Sequence, residues 1–541
     1  MVDDIQHRAG GGPLTTAAAE LVTVLNDEGV SHVFINPGTP TAPFRDALAE
    51  AEASSIPHPQ PVICIHEQVA LSAAHGHYLA SGRPQVIMAS LESWDPDLGK
   101  AIDCAQCDGV PVTIFSNSGP GRTALSPGKW AADPRRIKNL GTTARRALQI
   151  ARTEPTGVAL VPLPAGALRH SAGKASRRLP PPRPPVPEPA ALEEMAELLA
   201  AAESPVIIAG RVGRHVASVH HLASLAETLG APVLDLRNHV NLPPRHPLNA
   251  ATESRELLAA ADAVLLLDVQ RPCLPGLASV PLPPQAWLLQ IDADCLKMDL
   301  PAWAYPVEIA ITADTEQALP VLQKLVADRL SGRSRQVHDR RARIETQLQV
   351  VHEMWRDRAA SAEAADLPDV VLAELDRALP EDTLIVEEAA ASGGAALRQM
   401  ERPPGHFFHG AWSGPGWSVG AALGVRLARP AQPVVAITDE AAFRSGLPTA
   451  ALWAAQRAMA PFLTVVLDRA GRQSRRTLKA LPSEAAGAAG LTPEVVAAAA
   501  AGGAEAKVIT RPSDVAAAVE QLLATTRDGV CAVLDVRLPR A

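Results

Sequence analysis

Residues 63–84 read ICIHEQVALSAAHGHYLASGRP. An apolar run ends in His66-Glu67-Gln68, and an Ala-rich helical stretch begins at once. A strand passing directly into a helix belongs to a parallel α/β sheet. The stretch also raises a question, because a buried carboxylate is costly unless it is paired or hydrogen-bonded. Glu67 has a structural answer as a helix-start acid, favoured by the positive end of the helix dipole. It has a functional answer as a carboxylate placed for proton transfer.

The same alternation extends in both directions. LVTVLNDEGV and APFRDALAEAEA carry helical spacing, while HVFIN, PVICIH, PQVIMAS, VPVTIFSN and GVALVPLP read as strands. Near residue 178 the pattern breaks at RRLPPPRPPVPEP, an extended, semi-rigid linker. A second α/β unit follows, with SPVIIAG, APVLDL, ADAVLLLDV and AWLLQIDAD as strands and VASVHHLASLAETLG as a helix. Its AGRVG is not G-x-G-x-x-G, so it signals dinucleotide binding only weakly. A charged helical stretch, roughly 314–365, leads to a third unit. There DTLIVEEA, PVVAITDEAAF, PFLTVVLDRAG and GVCAVLDVRL read as strands and ALWAAQRAM as a helix. The expected architecture is α/β, with three successive doubly wound parallel-sheet domains at 1–177, 191–345 and 367–541. A Pro-rich linker at 178–190 and a linker helix at 346–366 separate them.

Bulk properties narrow the function. The 541 residues are 47% hydrophobic and 20% charged, which supports several cores. A net charge of −8 and 3% aromatic content argue against nucleic-acid binding. No apolar run approaches the ~20 residues of a membrane span. The opening MVDDIQHRAGGGPLTT has no signal-peptide core, and six scattered cysteines suit a reducing cytoplasm. Cys104 and Cys107 form a C-x-x-C without a second pair, so they are expected as two thiols near a helix end rather than a zinc site.

Three such units in this order resemble the thiamine-diphosphate (ThDP) enzymes, in the branch of acetolactate synthase and benzoylformate decarboxylase. FINPGTPTAPFRDAL resembles that family's opening strand-turn-helix, and IHEQVALSAAHGHYLASGRPQVIMAS its catalytic-glutamate segment. SPVIIAGR and LGAPVLD resemble its middle domain, and SGPGWSVGAALGVRLA its Gly-Gly-x-Gly turn with the helix after it. The resemblance covers nearly the whole chain. It implies that Glu67 hydrogen-bonds the aminopyrimidine of ThDP and so promotes a C2 ylid, which attacks an oxo-acid carbonyl. It further implies a homodimer or homotetramer with sites between chains and a small-molecule substrate. FAD in the middle unit has no residue-level support.

The sequence departs from the family where the diphosphate is anchored. The family places Gly-Asp-Gly after one strand and Asn-Asn after the next, and the Asp and second Asn hold Mg²⁺. Here the matching residues are Asp439-Glu440-Ala441, followed by Ala442, and Asp468-Arg469, with Gly471 beyond. The register that takes Glu440 as the ligand is preferred to the one that takes Asp439. Glu440 and Asp468 then offer oxygens to Mg²⁺. Arg469 has no lone pair for a metal. It either holds the diphosphate itself, with Arg472, Arg475 and Arg476 nearby, or pairs with Glu440 in an emptied site. Ser413-Gly414-Pro415-Gly416 puts Pro415 where relatives carry a bulkier apolar prop. LESWDPDLGKA, with Glu92, Trp94, Asp95 and Asp97, replaces a small Gly-rich pocket loop. That loop is either a charged pocket wall or a solvated surface. His409, in GHFFHGAW with His406, falls where relatives place pocket residues and is a candidate acid/base.

Two functions stand side by side. One is a ThDP-dependent lyase or carboligase acting on a 2-oxo acid or related acyl donor. The other is a homologue that has lost the Mg²⁺/ThDP site and serves as a non-ThDP enzyme or a binding or scaffold subunit.

Overall fold

A computed structural model describes residues 16–38, 41–89, 96–117, 128–164, 166–172, 177–236, 239–250, 255–269, 284–297, 306–361, 363, 367–388, 394–410, 416–468 and 495–538. Gly414, Pro415, Arg469, Gly471 and residues 90–95 of the acidic loop lie outside them. The chain forms two compact units. The first holds residues up to Ala74, Arg83–Arg152 and Thr156–Pro181. The second takes His75–Gly82, Thr153–Pro155 and the chain from Pro182 onward.

The first unit is built on a parallel sheet of β1 (His32–Ile35), β2 (Gln60–Ile63), β3 (Gln85–Ala89), β4 (Val112–Ser116), β5 (Trp130–Ala131) and β6 (Ala159–Pro162). The order is β2-β1-β3-β4-β6-β5. VTIFS and ALVP are buried along their whole length, as strands covered on both faces must be. Leu21, Leu25, Phe44, Phe115 and Leu148 close the core on one side. Thr16 caps the helix Ala17–Asp27 by accepting the Ala19 N–H at 3.2 Å. Cys104 and Cys107 are reduced thiols in the last turn of the helix Pro96–Cys107.

The second unit contains two parallel sheets. One orders its strands β11-β10-β9-β7-β8, with β7 (Pro205–Ala209), β8 (Val233–Asp235), β9 (Ala263–Leu267), β10 (Trp287–Asp292) and β11 (Ile309–Thr312). The glycine of AGRVG has a packing task here. A Cβ on Gly210 would lie 2.2 Å from the Asp268 carbonyl oxygen. The other sheet orders its strands β13-β12-β14-β15-β17-β16. These are β12 (Leu384–Glu387), β13 (Phe407–His409), β14 (Val434–Asp439), β15 (Leu463–Asp468), β16 (Glu505–Ile509) and β17 (Ala532–Arg537). The charged stretch between the sheets is two helices, Thr315–Leu330 and Ser334–Ala359.

One expected strand is corrected. PVVAITDEAAF does not run through as a strand, because β14 stops at Asp439 and Glu440–Ser445 is helical. The Asp439 side chain accepts the Ala442 N–H at 2.8 Å, so the acid ends the strand by capping the helix. No helix among the described residues is long and apolar enough to cross a membrane.

Candidate active site

In the first unit, β2 ends at Ile63 and Glu67 opens the helix Glu67–Ser81. The Glu67 side chain is 20% exposed and lies 4.0 Å from His66 Nδ1. That nitrogen accepts the Gln68 N–H at 3.2 Å, so His66 helps to start the helix. Glu67 therefore occupies the first turn, where the exposed peptide N–H groups favour an anion. It also remains reachable from solvent.

The later residues of the same helix belong to the second unit. His75 is buried and meets the Trp417 ring edge-on, with centroids 5.2 Å apart. Burial lowers its pKa to about 3, so the imidazole stays neutral. Gly76 lies so close to a neighbouring helix that a Cβ would fall 2.1 Å from the Ala421 carbonyl oxygen.

At the carboxyl ends of the third sheet, the predicted cofactor residues separate by task. Asp439 and Ala442 bind each other through the helix cap. Glu440 forms an ion pair with Arg444 one turn along its helix. Asp468 ends β15, the strand next to β14. Burial, and then the nearby charge of Asp468, hold the Glu440 carboxyl above the usual carboxylate range. Asp468 Oδ1 is buried without a hydrogen-bond partner. Behind them, buried Asp535 accepts Arg537 Nε at 3.0 Å. Two carboxylates from adjacent strand ends, one with an orphaned oxygen, are a donor set that fits a hard divalent cation.

Gly416 begins the turn into the helix Ser418–Ala428, at a φ of 105° that favours glycine. A Cβ there would lie 2.5 Å from the Gly446 backbone. The amides of Gly416, Trp417 and Ser418 all donate to one carboxylate, Glu388, with distances of 3.0 Å from Trp417 and 2.6 Å from Ser418. Glu388 directly follows β12 and is only 6% exposed. Burial pushes its carboxyl up to about 7, against the downward pull of those N–H donors. Its neighbour Glu387 is 1% exposed and pairs in register with His409 across β12 and β13. His409 Nδ1 and a Glu387 carboxylate oxygen make a close contact. A carboxylate on one ring nitrogen fixes the orientation of an imidazole and supports its protonated form.

Sequence reasoning missed both Glu387 and Glu388. The signal was present in DTLIVEEA, an apolar strand ending in acids, which is the syntax that singled out Glu67.

The three sheets, with a carboxylate opening the helix after β2 and acids at the ends of β14 and β15, define a class of three-domain α/β enzyme. Three family models match in sequence: the thiamine pyrophosphate enzyme N-terminal TPP binding domain at residues 15–124, the central domain at 192–323 and the C-terminal TPP binding domain at 390–536. The chain belongs to the thiamine-diphosphate enzyme family. It is 28% identical over 460 residues to a probable 2-ketoarginine decarboxylase of Pseudomonas aeruginosa, covering 79% of this chain and 78% of that one. It is 26% identical over 483 residues to a benzoylformate decarboxylase of the same organism, covering 82% and 84%. A sulfoacetaldehyde acetyltransferase of Castellaniella defragrans is 24% identical over 489 residues, covering 82% and 79%. In fold it is similar to a ThDP-dependent 4-hydroxybenzoylformate decarboxylase of Rhodococcus jostii, with a TM-score of 0.74, 19% identity and coverage of 97% and 99%. These relatives are decarboxylases and acyltransferases, and kinship supports chemistry of that general kind.

Proposed function

We propose that this protein is a ThDP-dependent enzyme that breaks or makes the carbon–carbon bond beside the carbonyl of a 2-oxo acid or related acyl donor. The observation that carries the reading is the approach of Glu440 to Asp468, whose Oδ1 is orphaned, at the ends of two adjacent strands. When bound, ThDP supplies a carbon nucleophile and an electron sink. Glu440 and Asp468 are the residues that would hold its Mg²⁺. Glu67, in the first turn of its helix and still accessible, would hydrogen-bond the aminopyrimidine and move a proton there. His409, oriented by Glu387, would give or take a proton at the substrate. Gly416 would let the backbone approach the cofactor. The reading includes a cytoplasmic homodimer or homotetramer with sites shared between chains.

The competing reading, a homologue without cofactor, draws on Arg444, which already pairs with Glu440. Calorimetric titration with ThDP separates the two. Binding in Mg²⁺ that vanishes in EDTA, and that Asp468→Ala weakens at least tenfold, is expected. Equal binding in EDTA would move the diphosphate to arginines. No binding in either buffer sinks the proposal.

A further inference from the structure

The sheet of β7 to β11 carries a cleft of about 400 Å³ at the amino ends of its strands. This is the edge opposite the one where ligands of parallel α/β sheets usually bind. Ser204, Pro205 and Val206 line it where β7 begins, and Pro232 lines it just before β8. Leu257 and Ala260 enter from the short helix Arg255–Ala259 and its end, ahead of β9. The helix Ser334–Ala359 closes one side with Arg340, Arg343 and Ile344. The volume is within the range of small-molecule sites, and none of these residues belongs to the cofactor reading.

Parallel α/β geometry gathers the carboxyl ends of helices at this edge, and their unpaired carbonyls repel an anion. Arg340 offsets them. Its Nη1 donates to the Ala202 carbonyl at 2.7 Å and the Glu203 carbonyl at 3.4 Å, just after the helix Pro189–Ala201. Its Nη2 donates to the Leu229 carbonyl at the end of the helix Val216–Leu229. Its Nε is buried without a hydrogen-bond partner, a donor that lacks an acceptor. Asp262, whose charge reaches Arg340, already accepts the Glu203 and Ser204 N–H groups at 2.6 and 2.9 Å. Arg343, one turn along the helix, is exposed and makes no hydrogen bond or ion pair among the described residues. Glu256 is the one carboxylate among the described lining residues, so the two arginines leave the lining net positive. Pro205, Val206, Pro232 and Ile344 give it a buried apolar floor.

We propose that this cleft binds a small organic monocarboxylate with an aliphatic body, at a site separate from the catalytic centre. The carboxylate would accept the Arg340 Nε hydrogen within the cleft and meet Arg343 at its rim. The body would cover Pro205, Val206, Pro232 and Ile344. One orphaned donor and one unpaired guanidinium match a single carboxylate.

The test uses the full chain without added ThDP, so failure of the cofactor reading leaves it intact. The probes are 4-methylpentanoate and the neutral 4-methylpentan-1-ol, titrated by calorimetry. The acid should bind saturably, and at least about fivefold more tightly than the alcohol. Arg343→Gln should weaken the acid about fivefold and leave the alcohol unchanged. Ala260→Phe, at an exposed wall position, should abolish binding of both. Arg343 is exposed, so its replacement leaves the fold intact and decides the matter even where Ala260→Phe disturbs it. The inference is overturned if the acid does not saturate, if the alcohol binds as tightly, or if Arg343→Gln with an unchanged thermal midpoint binds the acid like the wild type. That last result would mean that the acid sits elsewhere, at the catalytic centre for example.

Discussion

Glu388 sets burial against hydrogen bonding in one side chain, and the pH dependence of stability shows which wins. Its carboxylate receives three backbone N–H groups at the start of the helix Ser418–Ala428, an arrangement that favours the charged form. It is also buried, which favours the neutral form, and burial prevails: the carboxyl rises from 4.5 to about 7. A native group with a raised pKa holds its proton where the unfolded chain has already released it. Its contribution to stability is therefore complete below pH 4.5 and is lost as the pH climbs to about 7. That rise from 4.5 to about 7 corresponds to about 3 kcal/mol. Glu388→Gln cannot titrate and serves as the reference, cancelling every other ionisable group. Denaturant unfolding of both proteins from about pH 4 to about pH 8 should show wild-type stability falling by about 3 kcal/mol relative to the variant, then levelling off. A difference that rises with pH would refute the reasoning. It would mean that the three N–H donors outweigh burial and hold the carboxyl below 4.5.

Two further outcomes follow from close contacts. Gly76→Ala in an ordinary exposed helix would stabilise by up to about 1 kcal/mol. Here the added Cβ meets the Ala421 backbone at 2.1 Å, so the variant should instead lose about 2 kcal/mol, read as a lower thermal midpoint. Glu387→Gln keeps the shape of the His409 partner but removes its charge. Any ThDP-dependent turnover should then show its His-linked pH limb moved to lower pH, with KM little changed, whereas a merely structural Glu387 would leave the limb in place.

The interior of each sheet was legible in the sequence. PVVAIT and FLTVVL are continuous apolar runs because both faces of a central parallel strand are covered. The unread strands, β5, β11, β13 and β16, all lie at sheet edges. Ile309–Thr312 alternates buried and exposed, Trp130–Ala131 has two residues and Phe407–His409 three, so none leaves a long apolar run. Glu67 was readable because a carboxylate stands out between two apolar elements. Glu388 was not, since the matching amides come from residues 28–30 positions away and only the fold brings them together. The Glu440–Asp468 approach likewise depends on β14 and β15 being neighbours, which spacing suggests but side-chain direction decides. The end of β14 was drawn too late for a local reason at Asp439. Its cap on Ala442 turned an expected strand into a helix.

Gly416 and Gly446 meet backbone to backbone, and a Cβ on Gly446 would lie 2.8 Å from the Gly416 carbonyl oxygen. Two positions 30 residues apart in the chain therefore share one allowance of space. A side chain at either requires the other loop to retreat, and one of those loops is also tied by its amide to Glu388. Single replacements at either site are closed to drift, whatever the neighbouring residues become. In a library randomised at both positions and selected for folding, the survivors should be glycine at both.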